Sequence, residues 1–117
     1  MSGAERGSAT LEMTLVQLAQ WGAMIDLGMA MGTVFGDEFD PEIAESHDPP
    51  VQTILAYGET VGTLVKHETL DRDLVLDWLW VGGMWDRVGP AAQRARERLG
   101  ADALHENFEA LAKAQAS

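Results

Sequence analysis

The chain has 117 residues, a length that fits one domain, and its hydrophobic content of 46% is too high for a disordered protein. It contains no cysteine, which excludes disulfide bonds, thiolate nucleophiles and cysteine-based metal sites. Its formal net charge of -11 opposes binding to nucleic acid and to anionic membranes. We therefore expect an acidic cytoplasmic protein, and the abundance of alanine, glycine, valine and arginine indicates a bacterial one.

The first helix is predicted to begin at Thr10, which can cap it, and to run to about Phe35 with apolar residues at steps of three and four. Residues 1–9 are small and polar, so we expect a disordered tail without a signal peptide. A single helical domain should then cover residues 10–117. Charged and amide side chains interrupt the apolar stretch of the first helix, which argues against a membrane span.

Glycines recur at a spacing of four along the predicted helices, so the members of each pair lie on one helix face. Each interior glycine costs a helix about 1 kcal/mol relative to alanine. Such pairs favour close helix–helix crossings, because the missing side chain lets another backbone approach. The glycines concerned are Gly28, Gly32 and Gly36 on the first helix and Gly58 and Gly62 on the second, together with Gly82-Gly83 on the central helix.

The segment Gly36–Pro50 is the main connection and carries six acidic residues. Asp40 and Asp48 each precede a proline, a pattern that places an N-cap before the first helical residue. The sequence therefore predicts a short helical turn at about Pro41–Ser46 and a second full helix at about Pro49–Lys66.

The longest helix-forming unit is Leu70–Gly100, which holds three of the four tryptophans. Asp71 is a good N-cap, and Gly100 can adopt the left-handed conformation that ends a helix. Apolar residues surround its first half, so we expect a buried central helix, with a kink or break at Gly89-Pro90. A last helix is predicted at about Asp102–Ala114. The predicted fold class is all-α, a small bundle of about four to five helices around a central Trp-rich helix.

The second half of the chain, from about residue 58 to 112, contains a series of short motifs. They read GTLVK at Gly62–Lys66, LDRDLVLD at Leu70–Asp77, WDRVGP at Trp85–Pro90 and HENFEALA at His105–Ala112, with an arginine-rich arm before the last. This series resembles the bacterial domain-of-unknown-function 4760 family of small helical proteins, which usually has an aromatic residue where His105 stands. The resemblance implies an all-helical fold. It implies no activity and no catalytic residue, since the family has no assigned function.

The three histidines provide no convincing metal site. Helical bundles that bind metals use Glu-x-x-His pairs on facing helices, and only Asp102 with His105 approximates that spacing. No nucleophile–base pair or phosphate-binding loop is evident either. We therefore predict no metal, no cofactor, no catalytic residue and no enzymatic activity.

Two sets of charged residues need an explanation. Asp77 lies within the apolar belt, so we expect either an ion pair with a cation from another helix or a position at the rim of the belt; a general base with a raised pKa is the alternative. The arginines at positions 87, 94, 96 and 98 form an arm that we expect to contact the acidic connection, within the chain or across a dimer.

The tryptophans provide the main functional argument. Trp78 and Trp85 share a helix face, whereas Trp80 points elsewhere and needs either another helix of this chain or a partner subunit to cover it. We therefore predict a homodimer and a role as a self-associating interaction or accessory module, and the net charge would also suit a basic protein partner. The alternative is a Trp- and Met-lined pocket for an apolar small ligand. The candidate interface or ligand residues are Trp21, Met24, Trp78, Trp80, Met84, Trp85, Asp77, Arg87, Arg94 and Arg98.

Overall fold

The computed structural model describes residues 3–116, and the side chains of residues 14–116. Within that part of the chain there are six helices and no strand, so the predicted all-α class and the small helical bundle are confirmed. The helices are α1 Gly3–Met24, α2 Leu27–Val34, α3 Pro49–Lys66, α4 Arg72–Trp78, α5 Val81–Leu99 and α6 Glu106–Ala116.

Helix α3 makes the most extensive contacts, packing on α6, α2 and α5. Its buried side chains Val51, Ile54, Tyr57 and Val61 are completely inaccessible to solvent. Helix α5 also contacts α2, α3 and α6, so it shares the centre of the bundle with α3. The bounds of α3 agree with the prediction, because Asp48 precedes the two prolines that begin it.

The first predicted helix is in fact two helices, α1 and α2. Asp26 lies between them with a φ of 60°, a left-handed conformation that aspartate tolerates better than most residues. The end of α1 is fixed because Trp21 stacks on Tyr57, whose hydroxyl donates to the carbonyl of Leu18 at 2.8 Å. The break turns the chain so that α2 can also bury Ala30 against the core.

The predicted start of the first helix at Thr10 is also wrong. Helix α1 begins at Gly3, so residues 3–9 of the expected tail have a helical backbone, and residues 1 and 2 lie outside the described part. Alanine, glutamate and arginine in this segment are good helix formers, and no proline interrupts it.

The Trp-rich segment likewise forms two helices rather than one. Asp71 caps α4 as predicted, since its Oδ2 accepts from the amide of Leu74 at 2.9 Å. The break comes at Leu79 and Trp80, not at the predicted Gly89-Pro90, because Pro90 is accommodated inside α5. Gly100 ends α5 with a φ of 63°, in the predicted left-handed conformation.

Two smaller predictions have different outcomes. The short helical turn predicted at about Pro41–Ser46 is present as a single hydrogen-bonded turn, since the amides of Ile43 and Ala44 both donate to the carbonyl of Asp40. Helix α6 begins at Glu106 and not near Asp102, because residues 102–105 form a turn.

Candidate functional site

Trp80 lies at the break between α4 and α5, and a glutamine from α6 holds this break. The Nε2 of Gln115 donates to the carbonyls of Leu76 and Leu79 at 3.0 and 2.9 Å, and its Oε1 accepts from the amide of Gly82 at 2.6 Å. These are backbone groups that a helix end leaves without partners. One side chain therefore caps both the end of α4 and the beginning of α5.

The indole of Trp80 is exposed but packed on one side. It stacks on Phe35 with ring centroids 5.4 Å apart and an interplanar angle of 12°. A Cβ atom at Gly83 would overlap the indole, so the ring lies directly against the backbone of α5. The side chain nevertheless remains 64% exposed. Trp80 thus presents a large aromatic surface in a fixed orientation.

Arg87 fixes the segment on which this stack rests. Its Nε donates to the carbonyl of Val34 at 2.5 Å, and its Nη2 donates to the carbonyls of Gly36 and Phe39 at 3.3 and 3.2 Å. The guanidinium carbon also lies 5.2 Å from the ring centre of Phe39. The chain that follows α2 is thereby attached to α5.

A groove of about 400 Å³ lies beside the Trp80 ring. Asp37 and Asp86 line this groove, both are exposed, and within residues 14–116 neither carboxylate forms an ion pair. We refer to Phe35, Asp37, Phe39, Trp80 and Asp86 as the Trp80 surface. It combines an accessible aromatic face with two carboxylates that form no ion pair in the described residues, and Arg87, which also lines the groove, offsets one of these two negative charges.

The other arginines of the arm have structural partners. Arg94 donates to the carbonyls of Pro41 and Ala44, so it reaches the acidic connection through backbone oxygens. Arg98 lies 3.6 Å from the carboxylate of Glu45, an exposed pair of small energetic value. The expected contact with the acidic connection therefore exists within the chain, but mainly without its carboxylates.

Arg96 instead connects α5 to α6. It donates to the carbonyl of Leu104 at 2.7 Å and to Glu109 at 2.9 Å, in a pair whose side chains are only 14% and 19% exposed. Burial alone would raise the pKa of Glu109, but the hydrogen bonds and charges of Arg96 and Lys113 together outweigh it, so that pKa is lowered. The guanidinium also lies 5.6 Å from the ring centre of Trp85.

The remaining candidate residues do not converge on one pocket. Met84 is fully buried, whereas Met24 is 84% and Trp78 is 39% exposed. Trp21 packs on Tyr57 near the middle of α3, and Trp85 packs edge-on against Phe108 at 5.1 Å. The expected burial of the Trp-rich segment is therefore wrong at Trp78 and Trp80 as far as this chain alone is concerned. The sequence did not reveal the break that exposes them.

Asp77 is exposed, which agrees with the predicted rim position and contradicts the buried ion pair. Helix α4 has only seven residues and buries only Val75, and the chain turns away after Trp78. The apolar belt that appeared to surround Asp77 thus belongs to two differently oriented helices. Neither the buried ion pair nor the general base is supported by this position.

Glu59 is the main contact that the sequence did not indicate. Its Oε1 accepts from the amides of Asn107 and Phe108 at 3.0 and 2.9 Å, and its Oε2 accepts from the Nδ2 of Asn107 at 2.8 Å. A carboxylate from α3 therefore caps the beginning of α6, where free amides and the helix dipole favour negative charge. The partners are 48 positions apart, so no local motif marks them.

His105 does not belong to a metal site in the described residues, where no group of three or more histidine and acidic side chains is suitably placed. It has a φ of 60°, and its Nδ1 is buried without a hydrogen-bond partner. Burial lowers the pKa of His105, the charge of Glu59 opposes this change and that of Arg96 adds to it.

These features define a small helical bundle with an exposed aromatic surface, and in the part that the structure describes none of the helices is long and apolar enough to cross a membrane. Residues 27–115 match the model of a family described as a domain of unknown function, DUF4760. The chain belongs to this family. The match begins at α2, so it extends beyond the half of the chain in which the resemblance was noticed. No curated protein and no solved structure matches the chain.

Proposed function

We propose that this protein is an interaction module that binds a positively charged partner protein through the Trp80 surface. The observation that carries the proposal is that Trp80 is 64% exposed and yet held by Phe35 on one face. Tryptophans of this kind dominate the binding energy of many interfaces. An aromatic group already fixed in place loses little conformational entropy when a partner covers it.

The charge around this tryptophan supports a basic partner. Asp37 and Asp86 line the groove without ion pairs in the described residues, and the chain has a formal net charge of -11. Such a field attracts positively charged proteins and raises their association rate. A second copy of this chain would bring like charges together at the Trp80 surface, which disfavours self-association there.

Self-association through α1 and α2 is the second candidate, and it corresponds to the homodimer predicted from the sequence. Val16, Met24 and Met29 are 54%, 84% and 69% exposed. Asp26 is the one charged residue between positions 14 and 35. A dimer formed here would cover apolar side chains without placing the acidic regions of two copies opposite each other.

We propose no catalytic reaction for this protein. We propose a cytoplasmic location, because a chain without cysteine fits a reducing compartment, and fractionation of host cells tests that location.

Photo-crosslinking in the host cell tests the proposed surface. A benzophenone amino acid replaces Asp86 in one variant and the exposed Glu97 of α5 in a matched control. We expect a crosslinked basic protein with the first variant and none with the second. The captured protein is then purified for affinity measurements, and Trp80→Ala should weaken its binding by about 2 kcal/mol or more.

Salt and oligomeric state provide the controls. Asp37→Asn with Asp86→Asn should weaken binding and reduce its dependence on ionic strength. An affinity unaffected by Trp80→Ala would refute the proposal. A crosslink to a second copy, together with a dimer by light scattering that Met24→Lys and Met29→Lys dissociate, would favour the second candidate.

A further inference from the structure

A second groove, of about 490 Å³, lies between the end of α3, the beginning of α4 and one side of α6. Its apolar lining includes Val65 of α3 together with Ala110, Leu111 and Ala114 of α6. This volume is within the range of about 300–1,000 Å³ that is typical of small-molecule sites. The groove shares no residue with the Trp80 surface.

Two cations, Lys66 and Arg72, also line this groove. Lys66 is exposed and has no ion pair in the described residues, and Arg72 lies only within 3.9 Å of its exposed neighbour Asp73. The other described cations have structural roles. Backbone carbonyls accept from Arg87 and Arg94. Carboxylates of the same chain pair with Arg96, Arg98 and Lys113. The two described cations without such structural partners, Lys66 and Arg72, therefore lie at the apolar groove.

We propose that this groove binds an amphiphilic carboxylate, a molecule with one carboxylate head and an aliphatic chain. The head pairs with Lys66 and Arg72, and the chain covers Val65 and Leu111. Glu106 also lines the groove and offsets one of the two cations. Among the lining residues one positive charge therefore remains, and Asp73 beside Arg72 lies outside the lining and weakens it further, so this balance fits a monoanion better than a phosphate with two negative charges.

Because the protein carries a large negative net charge, an anionic ligand should prefer this groove over the rest of the surface. A chain with a formal net charge of -11 repels anions over most of its surface, so a carboxylate gains most where uncommitted cations lie beside apolar side chains. A neutral apolar ligand would gain nothing from Lys66 and Arg72, and a cationic amphiphile would be repelled by them.

Titration with n-decanoate below its aggregation concentration tests the proposal by methyl NMR. We expect saturable shifts of the methyl groups of Val65, Ala110, Leu111 and Ala114, with the indole signal of Trp80 unchanged. Decyltrimethylammonium serves as the cationic probe and octyl glucoside as the neutral one. Equal binding of either probe, or no saturable shift with decanoate, would overturn the proposal.

Charge variants make the test specific to the groove. Lys66→Gln with Arg72→Gln should weaken decanoate binding roughly tenfold, as expected from the loss of charge-assisted contacts. Arg98→Gln with Lys113→Gln removes the same amount of positive charge away from the groove. It should change the affinity less than about twofold, because salt screens long-range electrostatic interactions. The side chains of Arg72, Arg98 and Lys113 are at least half exposed, and Lys66 is an exposed residue. The four substitutions should therefore leave the fold intact. Equal losses in the two double variants would overturn the assignment.

Discussion

Two glycine pairs with the same spacing lie in opposite environments in this protein. A Cβ atom at Gly58 would overlap the ring of Phe108, and one at Gly62 would overlap the backbone of Asn107. A Cβ atom at Gly28 or Gly32 would meet nothing within 4 Å. The predicted close approach is thus confirmed on α3 and wrong on α2. A spacing of four identifies a smooth helix face, but it does not determine whether another helix covers that face.

The difference arises from what lies beside each pair. On α3, Glu59 follows Gly58 directly and accepts from the two amides at the beginning of α6, so the helix offers both space and a hydrogen-bond acceptor. Helix α2 has no acidic residue and offers neither a cap nor a partner helix on that face. The close packing of α6 therefore depends on a carboxylate as well as on the missing side chains.

The largest expected effect comes from Gly62→Ala. The added methyl group would meet the backbone of Asn107, which cannot move without displacing the start of α6. We expect a loss of about 3 kcal/mol in the free energy of unfolding, at the upper end for overpacking. Urea denaturation measures it. A variant as stable as the parent would show that α6 does not pack on this glycine.

Glu59→Ala should have the next largest effect. It leaves two amides of α6 without their acceptor, so we expect a loss of about 2 kcal/mol. Hydrogen exchange should become faster at Asn107 and Phe108, with the amides of α2 unaffected. If only global stability changed, without this local effect, the cap would not be the cause.

Gly32→Ala should stabilise the protein, in contrast to the two preceding substitutions. Nothing occupies the space around Gly32, and alanine is the better helix former, so a gain of about 0.5–1 kcal/mol is expected. The same measurement as for Gly62 gives a direct contrast between the two faces. A loss of stability would mean that the face of α2 is covered in solution, as in the self-association considered above.

The smallest effect concerns pH. Because burial lowers the pKa of His105, the unfolded chain binds this proton more readily than the folded one. The contribution of His105 to the free energy of unfolding is therefore fully present above the ordinary pKa of about 6.5, and it declines as the pH falls below that value. We expect His105→Asn, which tolerates the left-handed backbone, to reduce this decline in urea midpoints between pH 8 and 5.5. An unchanged pH profile would contradict this prediction.

The sequence predicted the elements whose signals are local. Asp48 with the prolines that follow it located the beginning of α3, Asp71 located that of α4, and Gly100 located the end of α5. It failed at Asp26 and at Leu79, where the chain breaks for reasons of tertiary packing. No window of a few residues contains the information that fixes those breaks.

The same distinction applies to the candidate site. Trp80 and Arg87 were identified because their residue types are informative by themselves. Phe35, Asp37 and Asp86 were not, since they become part of the Trp80 surface only when the segment after α2 lies against α5. Asp77 could be assigned only to a buried ion pair or a rim position, because a helix that ends at Trp78 cannot be distinguished by apolar content from one that continues.

The amide of Gln115 has a consequence for the Trp80 surface. This side chain lies in the final turn of α6, far along the chain from the carbonyls of Leu76 and Leu79 that it binds. Proteolytic removal of that turn, or a fusion tag that unwinds it, would release the joint between α4 and α5 and free the indole to rotate. The shape that a partner meets is thus maintained by a part of the protein that the partner need not touch.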